Sequence, residues 1–175
     1  ARDELDPWRE KLWALIERTP HLDWLLLTKR PEHIGACVPW SEWPHNVWLG
    51  TTAETQKWAN LRIAELEKHR AAVRFISAEP LLGPLDLAHW FSRGAIDWVI
   101  AGGESGPKAR PTKPVWVRQL RDDCERHGVA FHFKQWGHWA PAPPVEKKKV
   151  RVMGVDAGHG EREMLFAIGK KLAGR

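Results

Sequence analysis

VRFISAEP (73–80) and WVIAGGES (98–105) share one design, a short apolar run that stops abruptly in polar residues. WLLLTKRP (24–31), VWLGTTAE (47–54) and FHFKQWG (131–137) repeat it. Continuous apolar runs of this length, rich in Val, Ile, Leu and aromatics, read as strands buried on both faces, and such strands belong to parallel sheets covered by helices. In a parallel sheet all carboxyl ends share one edge. The five polar clusters should therefore converge on one surface, where open α/β sheets and β/α barrels place their ligand sites.

The spacing supports parallel pairing. The runs begin at Trp24, Val47, Val73, Trp98 and Phe131, so each strand with its return segment takes about 25 residues or slightly more, the size of a βα unit. Helices are predicted between them. Over 54–69, Trp58 or Ala59, Ile63 and Leu66 share a face. Over 114–127, Pro114 lies in the first turn, Val117, Leu120 and Cys124 form a stripe, and Gly128 follows the end. An amino-terminal helix over 8–18 carries Trp8, Leu12, Leu15 and Ile16 at helical spacing. The segments after Arg30 and Leu85 have room for a turn or two. A short echo, LDWLLLTKR (22–30) against IDWVIAGGE (96–104), suggests equivalent strand starts in two units.

The chain has 175 residues and 43% hydrophobic content, enough for about one domain with a core. No stretch approaches the roughly 20 apolar residues of a membrane span, and the charged start is not a signal peptide, so a cytoplasmic protein without membrane contact is expected. Cys37 and Cys124 are the only cysteines. They exclude a disulfide framework and argue against a cysteine-held metal cluster in this chain. Cys124, on an apolar stripe, reads as a small buried hydrophobe. With no HExxH and no His paired with Cys, no metal site is expected.

Twelve Trp and no Tyr are present. Trp24, Trp48 and Trp98 in strand runs and Trp58 and Trp116 on helices should pack helices onto the sheet, whereas Trp136 and Trp139 flank the last strand end, as rim packing or as a stacking surface for a planar ligand or base. The net charge of +5 would suit an anionic partner. Much of the excess lies in Lys147, Lys148, Lys149 and Arg151, after the Pro-rich APAPP at 140–144. Such a stretch reads as an extended, solvated excursion, and the basic run as a solubilising face or a nucleic-acid contact.

The strand ends carry the candidate ligand-binding residues. Thr28, Lys29 and Arg30 offer a hydroxyl and two cations suited to a carboxylate or phosphate, or to an ion pair with Glu79 or Glu104. Thr51 and Thr52 precede Glu54, and Thr52 reads as the cap of the following helix. Ser77 and Glu79 end the third run. A carboxylate there requires a partner or a ligand, such as an ammonium or ribose hydroxyls, or serves as an acid or base. Gly102 and Gly103 remove side chains beside Glu104 and Ser105, permitting positive φ and close backbone approach to a ligand. Lys134, Gln135 and Trp136 complete the edge with a cation, an amide and an indole. Glu79, Glu104 and Lys134 are the catalytic candidates, and Arg30, Glu79, Glu104 and Lys134 should face one cleft.

LTKRP, VWLG, RFISAEPLLGPLDL, DWVIAGGESGPKARP, WVRQLRDDC and FHFKQWG, occurring in this order over residues 22–139, resemble the phage protein family named for gene products thirty-seven and sixty-eight, an uncharacterised group of phages and bacteria. A weaker likeness continues into GKKLAGR (169–175). Members of that family resemble radical S-adenosylmethionine proteins, partial β/α barrels whose amino-terminal part holds clustered cysteines for a [4Fe–4S] cluster. The resemblance implies that SAEP (77–80) and GGE (102–104) line the barrel mouth, near the methionine moiety or substrate. This chain lacks the cysteine triad and so resembles a carboxyl-terminal portion of the family domain. S-adenosylmethionine and the cluster are implied for the full-length family, and no cofactor is expected on this chain alone.

The expected fold is therefore α/β, an incomplete β/α barrel with at least five mainly parallel strands over 1–139 and a Pro-rich, basic extension over 140–175. The leading function is a radical S-adenosylmethionine-like enzyme domain of unknown substrate, acting on a small-molecule or nucleotide-like ligand. The alternative is a non-catalytic module for a phosphorylated ligand or nucleic acid. Self-association through an open sheet edge is a third possibility.

Overall fold

The computed structural model describes residues 3–141, 152–156 and 162–167. Five strands, β1 (Trp24–Thr28), β2 (Val47–Thr52), β3 (Val73–Ala78), β4 (Trp98–Gly102) and β5 (Ala130–Gln135), form an all-parallel sheet in the order β1-β2-β3-β4-β5. Each strand thus pairs with the next in sequence, the order of an incomplete β/α barrel. The helices are α1 (Asp6–Arg18), α2 (Ile34–Cys37), α3 (Gln56–Leu66), α4 (Ala88–Ser92) and α5 (Pro114–Arg126).

One core cluster joins sheet and helices. Leu49, Ile76, Ala78, Val99 and Ala101 meet Ala59, Ile63 and Leu66 of α3, Phe91 of α4, and Val117, Leu120 and Cys124 of α5. Fully burying a side chain such as Ile63 or Leu66 contributes roughly 1.5–3 kcal/mol, and both are 0% exposed. Ala59, not Trp58, belongs to the buried stripe of α3. The Trp58 indole stays 40% exposed and carries the Arg62 guanidinium over its ring at 4.2 Å. Burial pushes the Cys124 thiol up to about 12, as expected of an inert core cysteine.

The second face of the sheet departs from expectation. Side chains alternate along strands, so Leu25, Leu27, Trp48, Phe75, Trp98 and Ile100 point away from the helical layer. Aromatic rings, rather than helices, cover the middle of this face: Trp48 meets Trp98 edge-on at 6.0 Å, and Phe75 lies 5.7 Å from Trp98. Phe75 is thereby 2% exposed, but Leu25 and Leu27 at the β1 edge remain 47% and 51% exposed. The continuous apolar runs are strands of a parallel sheet flanked by helices, and on this face aromatic neighbours supply much of the burial. Trp48 and Trp98 consequently pack on each other across β2, β3 and β4, not against helices.

Past β5 the chain forms β6 (Trp139–Pro141), which pairs antiparallel with β8 (Arg162–Ala167), itself antiparallel to β7 (Val152–Asp156). Ala140 and Pro141 of the Pro-rich stretch are thus strand residues. Lys147, Lys148, Lys149 and Arg151, and the ending GKKLAGR, lie outside the described residues. Among the described residues, no helix is long and apolar enough to cross a membrane.

Candidate functional site

The register aligns the strand ends: Thr28 with Thr51, Thr52 with Ser77, and Ala78 with Ala101. Between β4 and β5 it slips. Ala101 faces Phe133 but Gly102 faces Gln135, leaving Lys134 as the additional residue of β5. Such irregularities re-aim side chains. The Lys134 ammonium lies 3.2 Å from Glu79 Oε2, while the Ser77 hydroxyl donates to Glu79 Oε1 at 3.3 Å. Glu79 is mostly enclosed, its side chain 18% exposed, and Lys134 is open to solvent at 57%. The Glu79–Pro80 bond is cis.

Gly102 gives Glu79 its room. A Cβ on Gly102 would stand 2.9 Å from Glu79 Oε2, so a side chain there would press on the carboxylate. Gly103 serves the chain itself. A Cβ there would overlap the Trp136 carbonyl, and the two turns are laced together by Gly103 N–H to Gln135 O at 2.8 Å and His138 N–H to Glu104 O at 2.8 Å. Neither Gly102 nor Gly103 has positive φ. The Cβ positions that Gly102 and Gly103 leave empty are taken by the Glu79 carboxylate and the Trp136 carbonyl.

Glu104 pairs with Arg110. Arg110 grips it bidentately, Nε to Oε2 at 2.8 Å and Nη2 to Oε1 at 2.7 Å, and the Arg110 amide adds a third bond to Oε2 at 2.7 Å. These side-chain and backbone bonds from Arg110 hold the carboxyl at about 2. Ser105 Oγ accepts a long bond from Gln135 Nε2, 3.5 Å, and Trp136 packs its ring on Phe133 at 4.5 Å between centroids. Trp139 donates its indole N–H to the Ala109 carbonyl at 2.7 Å.

A second charged cluster sits at the ends of β1 and β2. Glu54 pairs with Lys29, and Arg62 Nη1 reaches Glu54 Oε2 at 2.8 Å and Thr52 Oγ1 at 2.8 Å. Burial raises the Glu54 pKa, but the bonds from Lys29 and its own backbone, with the Arg62 charge, outweigh it and leave the carboxyl lowered. Thr52 is thus a partner of Arg62, not a helix cap. Thr55 takes the cap position, without a side-chain bond. Thr51 donates to the Thr28 carbonyl at 2.9 Å, and Thr28 Oγ1 accepts from the Arg30 amide at 3.0 Å. Arg30 turns outward to Glu32 at 3.1 Å and His33 at 2.7 Å.

Of the four residues expected in one cleft, Glu79 and Lys134 meet, while Glu104 and Arg30 are engaged elsewhere. The ion pairs join Lys29 to Glu54, Glu104 to Arg110 and Glu79 to Lys134, and neither Glu79 nor Glu104 receives Lys29. Sequence reading missed Arg62 and Arg110. Arg110 lies only six residues beyond Glu104, a reach that GESGPKAR, with its Gly and Pro, makes natural.

Among the described residues, no group of three or more His, Cys, Asp or Glu could hold a metal ion. An iron–sulfur cluster does not fit the residues present. Cys124 is buried in the core and Cys37 lies on α2, so no thiolate set converges on the Glu79 edge.

The chain belongs to the family described as "Protein of unknown function (DUF5131)", whose model matches residues 3–175. The match takes in α1 and the region beyond β5, more than the motif-bearing stretch over 22–139. No curated protein and no solved structure matches the chain.

Proposed function

We propose that the carboxyl edge of the sheet binds a small nucleoside-type ligand, with S-adenosylmethionine the leading candidate, as the ligand-binding part of a radical S-adenosylmethionine-like enzyme domain. The supporting observation is Glu79. Its carboxylate is largely enclosed, steadied by Ser77, flanked by the side-chain-free Gly102, and matched by a solvent-exposed ammonium that a ligand can displace. Such a group accepts bonds from ribose hydroxyls or receives a ligand ammonium, and the displaced Lys134 then meets a ligand carboxylate. The resemblance of the strand-end motifs to the phage family supports the same reading. No step through an iron–sulfur cluster is derived, because this chain's residues do not form one.

The competing reading, a module for phosphorylated ligands or nucleic acid, is less favoured. Lys29, Arg62, Arg110 and Lys134 are each opposed by a carboxylate, which cancels the local field such ligands need.

Calorimetric titration of S-adenosylmethionine and of an oligonucleotide at two ionic strengths separates the two. Loss of a charge-assisted anchor costs roughly 1.5–3 kcal/mol, so Glu79→Gln should weaken adenosyl binding about 10–100-fold, and the Lys29→Ala/Arg30→Ala pair should leave it intact. Oligonucleotide binding that falls steeply with salt and vanishes in the Lys29/Arg30 variant, without an adenosyl signal, would overturn the proposal.

A further inference from the structure

Side chains of neighbouring strands stand in rows across the sheet: Ser77 lies beside Ile100, and Ile100 beside His132. Phe131 and Phe133 of β5 pack on the core cluster. Directions alternate along a strand, so His132 points to the opposite face, which carries Phe75, Trp98 and Ile100. The Glu79 carboxylate lies on that face as well. A Cβ on Gly102 would point the same way as Ile100, two residues earlier, and would stand 2.9 Å from Glu79 Oε2. Two residues along β4 and one strand spacing across to β5 separate the backbone positions of Gly102 and His132 by about 8 Å. Ile100, half-buried and apolar, fills the corner between them.

His132 is unmatched there. Glu79 has Lys134 and Ser77, Glu104 has Arg110, and Glu54 has Lys29 and Arg62, whereas His132 has no hydrogen-bond or ion-pair partner among the described residues. A neutral imidazole offers one donor and one acceptor. A ligand reaching from Glu79 to His132 therefore meets a hydrogen-bonding group at each end and hydrocarbon in the middle. That order of surfaces is the complement of a nucleoside: ribose hydroxyls, the flat face of a base, and the polar edge of the base.

We propose that His132 is the base-recognition residue of this ligand site: with the ribose hydroxyls on Glu79, the base lies flat on Ile100, and the imidazole accepts a hydrogen bond from an amino group on the far edge of the base. This assignment rests on Glu79 being the ribose anchor, as read above, and adds the ligand's chemical class, a nucleoside whose base carries an exocyclic amine, as adenine does. Covering Ile100 with the base removes apolar area from water. Towards the ends of β2 and β4 a base would instead meet the paired charges of Glu54 and Glu104, which offer it less apolar contact. His132 then sets specificity, because its unprotonated ring nitrogen is an acceptor and rewards a base that presents a donor there.

Calorimetric titration of the full chain with adenosine and with purine riboside, which lacks the 6-amino group, tests this. Adenosine is expected to bind more tightly by about 2–10-fold, the worth of one neutral hydrogen bond. His132→Ala, at an exposed strand position, should lower adenosine affinity by that factor and erase the preference, while purine riboside binds as before. His132→Gln, which keeps an acceptor, should restore much of the preference. Glu79→Gln should weaken both nucleosides alike. An unchanged preference in His132→Ala, with both nucleosides still weakened by Glu79→Gln, would overturn the role of His132 and leave the Glu79 site standing. Failure of the native chain to bind adenosine, purine riboside or S-adenosylmethionine would overturn both.

Discussion

Glu104 lies between the two arms of Arg110 and that residue's amide, and these bonds hold its carboxyl at about 2, against an ordinary value of 4.5. A group whose folded pKa is depressed adds stability that is complete above its unfolded pKa and is lost as pH falls through the folded one. The stability difference between the native chain and Glu104→Gln should therefore be steady at neutral pH, shrink below about 4.5 and vanish near 2. Urea titrations across that range check it, and a pH-independent difference would assign the effect to packing instead. At this scale the sequence gives the groups but not the partners. Glu79, Glu104 and Glu54 each follow a strand, and Lys29, Arg62, Arg110 and Lys134 are the cations that serve them. Which one serves which depends on a bulge at Lys134, a helix carrying Arg62 and a loop carrying Arg110, none of which leaves a periodic signature.

Phe75 on β3 lies across β2 where Gly50 has no side chain, and a Cβ at Gly50 would enter the ring. Gly50 and the Phe75 ring are thus one packing unit, and Phe75 is 2% exposed. Gly50→Ala should destabilise the fold by roughly 1–3 kcal/mol through overpacking. Gly50→Ala/Phe75→Leu should lose less than the sum of the single changes, a coupling that a double-mutant cycle in urea measures. Strands and helices were legible in the sequence because buried strands are short and apolar and α3 and α5 carry a regular stripe. β1 to β4 begin where the apolar runs do, and β5 begins one residue earlier. What covers the second face was not legible. An apolar residue at that surface has the same letter whether a helix, an aromatic neighbour or another copy lies on it.

Across the whole molecule, burial peaks in the middle of the sheet: Phe75, Ile76, Ser77 and Ala78 of β3 are all at or below 4% exposed, while β1 and β5 alternate between exposed and half-buried. Amides of β3 should exchange most slowly and those of β1 and β5 earliest, because local opening needs few apolar contacts to break at the edges. Mass-resolved hydrogen exchange reads this order directly, and equal protection in β1 and β3 would contradict it. The strand order, in which each strand's partner is simply the next one along the chain, carries a consequence for how the protein is made. Closing a loop of about 25 to 30 residues brings each successive pair together, and because closure entropy grows only slowly with length, its cost is similar for the first pair and the last. As the chain leaves the ribosome, no early strand waits for a distant complement. Each new unit docks on the one just finished, so the sheet can assemble in the order of translation.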